Sequence, residues 1–93
     1  PAVMAYLVDV CRATRTSPAV RLGVSPRGAT SLLRTARVWA FLQGRGFVTP
    51  DDVKTMAPST LAHRLGLRAE ANLEGITAVN VISGVLAATP VPR

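Results

Sequence analysis

Apolar side chains recur along this chain at helical spacing in four runs, and the polar, proline and glycine positions between them supply starts and stops. In the first run, about residues 2–15, Val3, Met4, Leu7, Val8 and Cys11 share one face and leave Asp9 and Arg12 on the wetter side. Thr16-Ser17-Pro18 ends it. A short link, Ala19 to Val24, leads to a second helix predicted over about 26–44, where Ala29, Leu32, Leu33, Ala36, Trp39 and Ala40 fall on one arc. Gly44 and Gly46 mark its stop, and as the longest element it is expected at the centre of the core. Phe47-Val48 reads as a brief extended piece. Thr49-Pro50-Asp51-Asp52 then opens a third helix with an N-cap threonine, a proline at the first helical position and two acids facing the positive end. Val53, Met56 and Ala57 continue it, Pro58 is expected to break or kink it, and Leu61, Ala62 and Leu65 carry on beyond. From Gly66 to Gly75 the pattern is irregular, with Leu67 and Leu73 as anchors. Thr77 caps a last helix through about Ala88, in which Val79, Val81, Ile82, Val85 and Leu86 supply more apolar surface than one narrow stripe needs. The tail Thr89-Pro90-Val91-Pro92-Arg93 cannot be helical. Short connections and the absence of internal repeats give an all-α expectation, a compact antiparallel bundle of four helices.

At 93 residues the chain is one domain, able to bury a single core and too small for a multi-part catalytic machine. The amphipathic pattern begins almost at Pro1 with no leader before it, as expected of a fragment cut from a longer chain. No stretch approaches the ~20 apolar residues of a membrane span, and no signal peptide is legible, so cytoplasmic residence is the default expectation. Cys11 is the only cysteine, cannot make an internal disulfide and reads as a small core residue. Tyr6, Trp39 and Phe47 are expected in the core as well.

The start of the second helix carries an oddity. Ser25 is a good N-cap and Pro26 a good first helical residue, and Arg27 follows in the first turn. The amino end of a helix is electropositive, so a cation there gains nothing from the macrodipole. Arg27 is therefore either a solvated residue of a basic chain or a cation aimed from a rigid frame at an external anion. Around the helix axis Arg27, Arg34, Arg37 and Arg45 gather within an arc of roughly 80°, a basic ridge opposite the apolar arc. Arg34 and Arg45 read most simply as solvated. Val38 and Phe41 lie on the same side, where apolar groups would sit exposed in an isolated domain, so this mixed face suits a contact surface for a missing domain.

Eleven basic residues against five acidic give a net charge of +6, and Lys54 is the only lysine. An anionic partner fits that balance, although a bias toward arginine and alanine can equally reflect genomic base composition. A basic helical nucleic-acid-binding module is the alternative that the charge supports; few aromatics are left to stack on bases. Catalytic and metal classes fall on inventory, because His63 and Cys11 are single and no zinc site, Cys-His pair or Ser-His-acid set can be assembled. His63 beside Arg64 reads as structural or interfacial. There is no Gly-rich phosphate loop with its Lys-Ser/Thr ending, so hydrolysis of a nucleotide is not expected of this chain alone.

Six runs taken in order, Tyr6-Leu7-Val8-Asp9, Ala13-Thr14-Arg15, Leu22-Gly23-Val24-Ser25-Pro26-Arg27-Gly28, Ala36-Arg37-Val38-Trp39-Ala40, Gly44 to Val53 and Leu61-Ala62-His63-Arg64-Leu65, resemble the C-terminal lid domain of MoxR-family AAA+ ATPases. The resemblance implies a small helical bundle, sometimes with a short strand pair, beside an α/β nucleotide-binding core. Phe47-Val48 and Leu65-Gly66-Leu67 would be the pieces able to pair. It also implies that Arg27 is the arginine called sensor 2, reaching the terminal phosphate of ATP on its own or a neighbouring subunit, with Ser25, Pro26 and Gly28 setting the helix start. Mg²⁺ would be held by the missing core domain, so no cofactor is expected tightly bound here. The implied partners are that core, neighbouring subunits of a ring and a von Willebrand factor A protein, with Arg34, Arg37, Val38 and Phe41 as the candidate interface; neither a membrane nor a specific nucleic acid is expected. The implied parent is an ATP-hydrolysing chaperone. Gly28 stands where alanine is more usual in that family, and Gly46 where an acid is more usual.

Overall fold

The computed structural model describes residues 2–91, so Pro1, Pro92 and Arg93 lie outside it, and with them the last two positions of the expected non-helical tail. Helix α1 spans Ala2–Thr16, strand β1 Val20–Leu22, α2 Pro26–Leu42 and α3 Pro50–Leu61. A single 3₁₀ turn follows at Ala62–Arg64, then β2 at Gly66–Leu67, α4 at Ala69–Leu73 and α5 at Ala78–Ala88. Three of these starts are written in cap chemistry. Ser25, Thr49 and Thr77 each stand in extended backbone and accept the amide of the third helical residue, and at Thr49 and Thr77 the residue three places on returns a side-chain acceptor to the cap amide.

One core joins the helices. Tyr6, Leu7 and Val10 of α1, Leu32 and Ala36 of α2, Val53, Ala57 and Leu61 of α3, and Ile82 of α5 are all almost fully enclosed. Alanine at positions 36, 40 and 57 keeps the facing helices close, and α2 packs most extensively on α3. Cys11 is buried among them, and burial pushes its thiol up to about 11, which keeps it protonated and inert at neutral pH.

The mostly-α architecture matches the sequence expectation, and the structure corrects four details within it. The strand pair joins β1 to β2 in antiparallel register, Val20 opposite Leu67 and Leu22 opposite Gly66, so Leu65-Gly66-Leu67 pairs with the expected link and not with Phe47-Val48. Residues 47–48 are irregular, and Phe47, expected in the core, is 66% exposed, because the left-handed turn at Gly44 carries the following loop outward. Pro58 does not break α3. The helix runs on to Leu61 because Ala57 and Leu61, on either side of the proline, are both fully buried and hold the backbone in place. Within 66–75, Leu67 packs against the core as expected but Leu73 is 88% exposed, and Ala71 and half-buried Ile76 take its place as anchors.

Candidate functional site

The start of α2 is clamped from behind by the end of α1. Val24, the residue before the N-cap, is fully buried, and its backbone is held at both polar ends. Its N–H donates to the Thr14 hydroxyl at 3.0 Å, and its carbonyl accepts two bonds from the Arg15 guanidinium, at 3.2 Å from Nε and 3.1 Å from a terminal nitrogen. Gly23 permits this approach: a Cβ there would lie 2.5 Å from Arg15 Cγ and 2.9 Å from Arg15 Cα. Ser25 then accepts from the Gly28 amide at 3.4 Å through its hydroxyl and from the Ala29 amide at 3.1 Å through its carbonyl. Pro26 fills the first helical position, where no N–H is required.

Arg27 emerges from this frame exposed, and among the described residues it makes no hydrogen bond and no ion pair. One turn further along, Arg64 from the 3₁₀ turn lies across the helix. A terminal guanidinium nitrogen donates to Ser31 Oγ at 3.2 Å, while its Nε is buried without a partner. Gly28 is the floor of that crossing, since an added Cβ would meet Val24 Cγ1 and come within 3.3 Å of Arg64 Cδ. Alanine's better helix propensity would here be set against displacement of a buried valine.

Farther along α2 the exposed face carries Arg34, Arg37, Val38 and Phe41, with Val38 55% and Phe41 77% exposed. Arg45 does not belong to this ridge. The helix ends at Leu42, Gly44 takes a left-handed turn at φ 81°, and the amides of Gly44 and Arg45 close back on the carbonyls of Phe41 and Ala40. That turn sends the Arg45 side chain to α3, where two of its nitrogens donate to Asp52 Oδ2 and Oδ1 at 2.7 and 2.6 Å. Asp52 also accepts the Thr49 amide at 2.7 Å and is 1% exposed. The guanidinium hydrogen bonds hold its carboxyl down at about 2, against the opposing effect of burial, and the Thr49 bonds help. Asp52 is therefore a structural carboxylate, and Arg45 is its partner instead of a solvated cation.

The AAA lid domain family matches residues 12–85. The chain belongs to that family. Relatives that match this lid include the MoxR protein of Paracoccus denitrificans, 35% identical over 99% of this chain and 31% of its own, and the chaperone MoxR1 of Mycobacterium tuberculosis, 34% identical over 99% and 27%. YeaC of Bacillus subtilis, an uncharacterized protein, is 44% identical over 94% of the chain and 27% of its own length. A crystal structure of a candidate ATPase from Cytophaga hutchinsonii superposes with a TM-score of 0.91 at 29% identity, covering 99% of this lid and 31% of that chain. The lid thus spans less than a third of each of these proteins. The sequence resemblance to MoxR-family lids is borne out over nearly the whole chain.

Chemically, the lid offers an exposed guanidinium with free donors on an anchored helix start and a second guanidinium nearby, a donor set suited to an anion. Among the described residues no three His, Cys, Asp or Glu side chains gather to hold a metal ion, and no helix is long and apolar enough to cross a membrane. Sequence reading missed the roles of Thr14, Arg15 and Arg64. A glycine directly before the Val-Ser-Pro cap was the available sign that another backbone passes close by.

Proposed function

We propose that this lid belongs to an ATP-hydrolysing MoxR-type AAA+ protein and that Arg27 reads the nucleotide's terminal phosphate. One observation carries the reading: Arg15, Arg45 and Arg64 are each engaged within the domain, whereas Arg27, on a helix start clamped by the end of α1, is not. A planar guanidinium held there can donate two parallel hydrogen bonds to phosphate oxygens. Bound ATP, with Mg²⁺ on the parent's core domain, would supply the phosphoryl group and the charge to be stabilised. Arg27 would move no proton, and its part is to bind and report. The exposed face of Arg34, Arg37, Val38 and Phe41 is assigned to contact with the rest of the parent chain or, beyond the groove at its end, with a neighbouring subunit of a ring. Maturation of client complexes and a von Willebrand factor A partner follow from the family resemblance alone.

The test is amide hydrogen exchange of the parent protein with and without ATP. Residues 25–31 are expected to exchange more slowly when ATP is bound, and Arg27→Ala to abolish that difference while leaving α3 unchanged. Identical ATP protection in both proteins would refute the sensing role.

A further inference from the structure

A concavity of about 580 Å³ lies at the end of the bundle away from Arg27, between the first turn of α1, the later turns of α2 and the loop after Gly44. Val3, Met4, Phe41, Phe47 and Val48 line it, and Arg37 and Arg45 stand on its rim. Two features make this more than a surface irregularity. Phe41 and Phe47 are 77% and 66% exposed on its walls, two aromatic rings that water would otherwise cover. The charged side chains that line it are also of one sign. They are Arg37, an exposed cation, and Arg45, which holds the Asp52 carboxylate, while exposed Asp51 at the start of α3 lies outside the lining and acts electrostatically on Arg45. A complementary occupant is an apolar segment carrying acidic side chains.

We propose that in the parent protein this groove is filled by the stretch of polypeptide leading into α1, an apolar segment with acidic flanks. The inference rests on the reading that the lid is one domain of a longer ATPase, and it adds what covers the exposed face. Val3 and Met4 are both in the first turn of α1 and both line the groove, so chain arriving at α1 passes its edge. About ten extended residues, ~33 Å, suffice to turn back and lie along it. A tethered segment meets the groove at an effective concentration in the millimolar range, so modest apolar contact with Phe41 and Phe47 keeps it docked where a free peptide of the same sequence would dissociate. Docking would fix the direction in which the lid leaves the rest of the protein, and with it the direction in which Arg27 is presented.

The experiment places the photoreactive residue benzoylphenylalanine at position 47 of the assembled parent, where the native ring is exposed, and maps the crosslinks by peptide mass spectrometry. Subunits of two different masses are mixed so that bonds within and between chains are distinguished. The expected product is a crosslink within one chain to residues immediately upstream of α1, reduced at least threefold by Arg37→Glu. Crosslinks to another subunit's core, to the same groove of a second copy, or to nothing would each overturn the proposal. The same preparation carrying Arg27→Ala is assayed for ATP turnover. A normal crosslink with unimpaired turnover sinks the sensor reading alone, and a lost crosslink with impaired turnover sinks the groove assignment alone.

Discussion

Replacing Asp52 by asparagine isolates the contact that fixes the α2–α3 corner. In the native domain the Asp52 carboxylate receives two Arg45 bonds at 2.6 and 2.7 Å and the Thr49 amide at 2.7 Å, all in a 1% exposed position. Asparagine keeps the size and one acceptor oxygen but loses the charge, and its amide nitrogen cannot accept from Arg45. Lowering the carboxyl from its ordinary 3.8 to about 2 corresponds to about 2 kcal/mol of folding stability at neutral pH. Weakening the reciprocal cap at Thr49 adds about 1 kcal/mol, so the expected loss is about 2–4 kcal/mol, or roughly 10–30 °C of melting temperature for a domain of this size. The pH dependence gives the sharper reading. Because the folded-state value is depressed, the contribution is fully present above pH ~4 and disappears as pH falls through about 2. Urea melts of wild type and Asp52→Asn at pH 7, 4, 3 and 2 should show a stability gap that is largest at pH 7 and closes across the acid window. A gap under about 0.5 kcal/mol at pH 7, or one that does not change with pH, would refute the account of this corner.

Gly23→Ala, which would drive a methyl group into the Arg15 backbone, is expected to cost about 1–3 kcal/mol in thermal melts. An unchanged melting temperature would mean that α1 does not clamp the α2 start. Double-stranded DNA is expected to bind only weakly and without sequence preference, with affinity falling steeply between 50 and 200 mM salt, because the exposed cations are scattered over α1, β1, α2 and the start of α4. A sequence-specific complex at physiological salt, seen by fluorescence anisotropy, would favour the nucleic-acid-binding alternative.

Local chemistry made much of this lid legible. The Ser25, Thr49 and Thr77 caps start helices where the sequence placed them, and Ser25-Pro26 put Arg27 in the first turn of α2. The misplacements came from interactions between segments distant in sequence. Arg45 falls on the basic arc only if the helix wheel is continued past Leu42, and the left-handed Gly44 ends that wheel three residues early. Phe47 and Leu73 look like core side chains because they are large and apolar, yet which of them is covered depends on what else packs there. The β1–β2 pairing joins segments more than forty residues apart and is only two to three residues long per strand, too short for any alternation to announce it.

The central claim, that Arg27 acts on the nucleotide, is tested most directly by steady-state ATP turnover of the parent protein carrying Arg27→Ala, Arg27→Lys or Arg12→Ala, with a thermal melt of each. Arg12, exposed on α1, is the proper surface control, since Arg45 is committed to Asp52 and Arg34 belongs to the assigned contact face. Removing a cation that stabilises developing phosphate charge costs several kcal/mol of transition-state stabilisation, so Arg27→Ala should lower turnover by at least about a hundredfold. Lysine should rescue poorly, because it keeps the charge and loses the planar fork. Arg12→Ala should leave turnover unchanged, and all three variants should melt within a few degrees of wild type. Equal turnover in wild type and Arg27→Ala would contradict the account, and a large fall in the melting temperature of Arg27→Ala would make that residue structural.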